Sequence, residues 1–174
     1  MTRYLFTFGL ILFAAFSRLL PHPDNMAPIC AIALFGGAYL DKKHAFVVPL
    51  AAMVISDYFI GYYSGIQWTY AAFLAVGAIG LLLRDRVSAG TVFGGSIAGS
   101  IAFFVISNFG VWASHVVSYP MTFAGLVNCY VQAIPYLRNS LIGDMGYAAV
   151  LFGSYEIAKR YVPALKPQLQ SQAV

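Results

Sequence analysis

Residues 68–83 read WTYAAFLAVGAIGLLL, and after Arg84-Asp85-Arg86 the chain resumes at 88–112 as SAGTVFGGSIAGSIAFFVISNFGVW. Neither stretch carries a charged side chain. A helix crosses a bilayer core with about 20 apolar residues, so two such runs around a short charged joint read as transmembrane helices. Composition agrees with that reading. A soluble domain covers its core with about 25% charged residues, whereas this 174-residue chain is 60% hydrophobic and 9% charged. Lipid is the solvent that suits it.

Four further segments complete the pattern. Upstream, 3–20 is apolar and stops at Pro21-His22-Pro23-Asp24-Asn25, a turn-rich break. With Arg3, an apolar run over 4–16, Ala15 and Ser17, it also has the outline of a secretory signal, but it is read as the first helix. The second helix begins near Ala27-Pro28 and ends at Asp41, short for a full span; proline suits a first helical turn. The third covers 44–62, with a loop at 61–67. The last covers 138–160, and Pro163 and Pro167 mark a cytoplasmic tail, 163–174, after a single transmembrane domain, 1–162. The expected fold is an all-α membrane protein, a compact bundle of about six transmembrane helices with both ends in the cytoplasm.

Charge sets the direction. Cytoplasmic loops carry an excess of Lys and Arg. Counting six spans from a cytoplasmic N-terminus puts Arg3, Lys42, Lys43, Arg84, Arg86, Lys159, Arg160 and Lys166 inside, eight of the ten basic residues. Only Arg18 and Arg138 fall outside. There is no basic run of the kind that binds nucleic acid, so that partner is not expected.

The stretch 113–136 is external by this count. Phe123, Leu126, Val127 and Tyr130 recur in it at helical spacing between Pro120 and Pro135, which predicts a short interfacial helix before the last span. It reads either as a strut or as a lid over an outward pocket. Gly90, Gly94, Ala98 and Ala102, with Gly95 and Gly99 alongside, form a small-residue stripe that lets helices approach closely, within this chain or onto a partner.

Ionisable residues also gather towards the outer half: Asp24, Asp57 and Asp144, with Arg18 and Arg138. An unpaired charge mid-span costs about 3 kcal/mol, so Asp57 and Asp144 must face the interior. They form a network that locks helices together, the polar floor of a ligand pocket, or both at once, with a proton or ion relay as the third reading. Asn108 has a similar depth. Tyr58, Trp68, Trp112 and Tyr136 flank the outer loops, as interfacial aromatics do or as stacking surfaces for a flat ligand. His22 and His115 read as loop residues. Cys30 and Cys129 have no CxxC or Cys/His spacing, so no metal centre is expected, and a disulfide stays open. Cys30 reads as a packed thiol, with a soft ligand to a corrinoid cobalt as the alternative. The chain has no GxxxxGK[ST], HExxH or GxSxG motif, so no ATPase, cofactor or catalytic residue is expected.

The run Pro21-His22-Pro23-Asp24-Asn25-Met26-Ala27-Pro28, followed by Ala33-Leu34-Phe35-Gly36-Gly37-Ala38, is similar to the loop leading into the second helix of the substrate-binding S components of energy-coupling-factor vitamin transporters. With Ser56-Asp57, Asn108-Phe109-Gly110-Val111-Trp112 and Arg138-Asn139-Ser140-Leu141-Ile142-Gly143-Asp144, the chain resembles, over nearly its whole length, an uncharacterised family of small bacterial six-helix membrane proteins. The S-component resemblance implies a non-catalytic transport protein in the bacterial inner membrane that takes up a small vitamin-like or cofactor-precursor solute. It works with an energising transmembrane and ATPase module, or alone. S components dock such a module through an Ala-x-x-x-Ala face on the first helix; here Ala14 and Ala15 are followed by Arg18, which favours the solitary form. The expected ligand-binding residues are Arg18, Asn25, Asp57, Tyr58, Trp68, Asn108, Trp112, Tyr136, Arg138 and Asp144. The alternative function is a structural or assembly subunit of a larger membrane complex.

Overall fold

A computed structural model describes residues 2–165 of the chain. The tail beyond 165, with Lys166, lies outside the described residues, as does the side chain of Arg3. The described residues form six α-helices: α1 Thr2–Ser17, α2 Ile29–Tyr39, α3 His44–Ile60, α4 Ile66–Leu83, α5 Ala89–Ala113 and α6 Phe123–Tyr161, with a 3-10 turn at Pro163–Leu165. The described residues include no strand. Two of the helices, α4 and α5, are long and apolar enough to cross a membrane. Only 33% and 28% of their apolar windows are buried within the protein.

The shortest long-range element, α2, is the centre of the molecule. Its 11 residues span about 16 Å at 1.5 Å per residue, and every residue from Cys30 to Tyr39 is buried. The other five helices all pack against it. It is shorter than the 27–41 span expected, because Pro28 occupies the N-cap and Leu40 turns extended. Both ends are completed by other helices. The Arg84 guanidinium, at the end of α4, donates to the Gly37 carbonyl (3.3 Å) and to that of Leu40. The Asp144 carboxylate of α6 faces the amides of Cys30 and Ala31. Helix termini leave unpaired backbone groups and partial charges of opposite sign; here a carboxyl group meets the N-terminus and a guanidinium the C-terminus.

Close packing of α2 on α4 depends on missing side chains. A Cβ on Gly37 would lie 2.4 Å from the Gly77 carbonyl oxygen, and one on Gly80 would lie 2.4 Å from that of Leu34. The backbones therefore touch, as small residues permit. The α5 stripe divides in two. Gly95 meets Leu83 and Gly99 meets Val76, whereas Gly90 and Gly94 face open space.

The segment 113–136 differs from expectation. Thr122 caps a single helix, accepting from the Gly125 amide at 3.1 Å, and that helix runs 39 residues through Pro135 to Tyr161. No separate interfacial helix precedes a last span. An interior proline forfeits a backbone hydrogen bond at about 3 kcal/mol. The first half of α6 offsets this by bonding along α5, with the Tyr130 hydroxyl donating to the Val105 carbonyl (2.7 Å) and the Cys129 thiol to that of Asn108 (3.5 Å). Both cysteines are free thiols.

Candidate functional site

The ends of α1, α3 and α5 and the starts of α2 and α4 meet at one end of the bundle. Beyond Ser17, α1 tightens into successive i→i−3 bonds at Arg18, Leu19 and Leu20. This swings Arg18 inwards between α1 and α3. Its Nη2 donates to Asp57 Oδ1 at 2.7 Å, and Nη1 donates to Ser56 Oγ. The second carboxylate oxygen accepts from the Tyr70 hydroxyl of α4 at 2.8 Å. Arg18 and Asp57 are both buried. A buried ion pair is tolerable only when further hydrogen bonds complete it, and this one ties three helices together. Asp57 is thus part of an interhelical network.

A second polar group lies under the 18–28 connection. Asn25, in the left-handed conformation at φ 59°, stands between two cavities. The connection is held down by the Asn139 amide, which donates to the Asp24 carbonyl at 3.0 Å. Below Asn25 is a pocket of about 40 Å³ bounded by Cys30, Ser140 and Asp144. There the Ser100 hydroxyl donates to Asp144 at 2.7 Å. The space suits a water-sized guest and is far too small for a corrinoid at Cys30.

Above it opens a cleft of about 510 Å³ between α5 and the first half of α6. Its walls are Asn25, Asn108, Val111, Val117, Tyr119, Cys129, Gln132, Ala133 and Tyr136. Small-molecule sites occupy roughly 300–1,000 Å³. The lining offers three carboxamides and two phenols, with no ionised side chain. Asn108 Nδ2 donates to the Phe104 carbonyl at 2.8 Å, which leaves its Oδ1 as an acceptor. Such a surface can hydrogen-bond an uncharged polar solute from several directions.

The structure thus brings together Asn25, Asn108 and Tyr136, with Asp144 one cavity deeper. The other expected residues lie elsewhere. Arg18 and Asp57 are closed into their ion pair. Tyr58 is 73% exposed on α3, and Arg138 is exposed on α6. Trp68 lies across Gly110, where a Cβ would come within 2.1 Å of the indole, and its Nε1 donates to Ser114 Oγ at 2.9 Å. Trp112 Nε1 donates to the Pro120 carbonyl at 3.0 Å. Both indoles brace the α5–α6 connection and leave the cleft unlined by tryptophan. Cys129, Gln132, Ala133 and Tyr136 follow the i, i+3, i+4, i+7 rule on one helix. The spacing is legible in the sequence, but it crosses Pro135, where proline signals a break that α6 does not make. No group of three His, Cys, Asp or Glu side chains able to hold a metal occurs among the described residues.

Fold and cleft define a class: an all-helical bundle with a capped, uncharged cavity at one end. The chain belongs to the family of unknown function DUF6580, whose model matches residues 1–165. No curated protein and no solved structure matches it.

Proposed function

We propose that this protein is a multi-pass protein of the bacterial inner membrane that binds a small vitamin-like or cofactor-precursor solute for uptake, in the manner of an S component. The membrane part of the reading rests on α4 and α5, whose apolar windows stay two-thirds unburied. Phe13, Val47, Val150 and Ile157 are exposed on the other helices, which is costly in water and favourable in lipid. The basic residues Lys42, Lys43, Arg84, Arg86, Lys159 and Arg160 gather at the end opposite the cleft, which would make that end cytoplasmic. The single observation that carries the binding role is the 510 Å³ cleft, with neutral donors and acceptors on facing helices. The 18–28 and 113–122 segments would close over the solute, if their contacts are stronger in the closed state. Energy would come from a separate ATPase module or from a gradient. Catalysis is not part of the proposal.

The experiment is mass spectrometry of metabolites retained by the purified protein, with thermal shifts across a vitamin panel. Retention of one solute by the native protein, lost in Asn108→Ala and Gln132→Ala, supports the proposal. No retained metabolite and no shift across the panel would overturn it.

A specific observation also favours the second reading, an assembly subunit. Gly90 and Gly94 lie on α5 with open space before them, a face onto which another helix could settle. Cross-linking that recovers only monomer in native membranes would remove this reading.

A further inference from the structure

The opposite end of the molecule holds a further cavity, a crevice of about 480 Å³ between the start of α5 and the end of α6. Its depth is apolar, walled by Val92 and Phe152. Its mouth is polar. Ser88 caps the 25-residue α5 and takes the Thr91 amide at 3.2 Å, which leaves the Ala89 and Gly90 amides of the first turn to open there. Arg160 stands beside it. The other ionisable group at the mouth, Glu156, is engaged by Lys159 at 2.8 Å and by the Tyr39 hydroxyl at 2.5 Å. Arg160 forms no ion pair among the described residues. Inside the crevice, Ser96 is 2% exposed and its hydroxyl has no hydrogen-bond partner. A buried hydroxyl without a partner is unfavourable, so the cavity lacks an acceptor.

A molecule that answers all three features is anionic at one end, carries an acceptor a short distance below, and ends in hydrocarbon. We infer that this crevice is a binding site for one anionic phospholipid. The phosphate sits at Arg160 and the first turn of α5. Ser96, eight residues further along, lies about 12 Å deeper and donates to an ester carbonyl near the top of the acyl region. One chain then lies between Val92 and Phe152. The inference rests on the membrane reading above and is independent of the solute cleft at the other end. It also agrees with the charge distribution, because anionic lipid is attracted by about 1 kcal/mol per nearby basic residue.

The test is native mass spectrometry of the detergent-purified protein mixed with dioleoyl phosphatidylglycerol or dioleoyl phosphatidylcholine. The wild type should retain one phosphatidylglycerol about fivefold better than phosphatidylcholine, the factor that one basic contact supplies. Arg160→Gln should bring the two lipids to parity. Gly153→Leu, which fills the crevice where a Cβ meets nothing within 4 Å, should abolish retention of both. Ala149→Leu, on the same wall, serves if that variant does not fold. Equal retention of both lipids by the wild type, or a preference unchanged in both variants, overturns the inference while leaving the membrane reading intact. Displacement of the lipid by inorganic phosphate alone also overturns it. A protein that stays soluble and monomeric without detergent overturns both.

Discussion

At the scale of single residues, the buried Arg18–Asp57 pair gives the sharpest expectation. Removing one partner strands a charge, at about 3–5 kcal/mol, whereas replacing both with apolar groups of similar volume is often neutral. Arg18 Nε is already without a partner, so the pair carries a cost of its own. Arg18→Met should therefore lower the melting temperature of the purified protein sharply. The double variant Arg18→Met with Asp57→Leu should recover most of the loss. A double variant no better than the single would show that the network adds more than charge balance.

Asp41, in the connection between α2 and α3, gives a pH expectation. The His44 backbone N–H bonded to it at 2.9 Å holds its carboxyl down at about 2, below the ordinary 3.8. A carboxyl depressed in the folded state stabilises fully above its unfolded value. That contribution is lost as pH falls from about 4 through about 2. Melting temperature measured between pH 5 and pH 2 should drop more steeply in the wild type than in Asp41→Asn. The difference should be small, because the group is exposed and screened.

At the scale of elements, the contact of α2 with α4 should tolerate no added carbon. Gly37→Ala or Gly80→Ala must push apart backbones already in contact, at about 1–3 kcal/mol or more. Gly94→Ala meets open space and should gain about 0.5–1 kcal/mol from helix propensity. Thermal unfolding of the three variants side by side checks this. Equal effects at all three would mean that the helices do not approach as described. The same element explains why Arg84 is more than a topology signal. Its guanidinium completes the C-terminus of α2, so a lysine there could not bridge two carbonyls as well.

At the scale of the whole molecule, the proposed function requires the two ends to lie on opposite sides of a membrane. Single cysteines at Lys42 and Asp85 should resist impermeant maleimide added to intact cells. Cysteines at Tyr58 and Met121 should react. Both native thiols are buried and should contribute little background. Labelling of position 42 or 85 from outside would put the cleft on the wrong side for uptake.

Local composition was enough to specify a helical chain with breaks at 21–25, 42–43, 61–67 and 84–87, and a requirement that Asp57 and Asp144 be satisfied internally. These follow from properties that act along the chain: apolar run length, turn residues and the cost of a lone charge in an apolar interior. Tertiary packing decided which groups satisfy them. Asp57 takes Arg18 and Tyr70, and Asp144 takes Ser100 and the start of α2. Packing also carried α6 through Pro135 and spent the two indoles on bracing the connection. Partner choice and cavity walls depend on the rotation and register of helices far apart in sequence, and hydropathy carries no record of either.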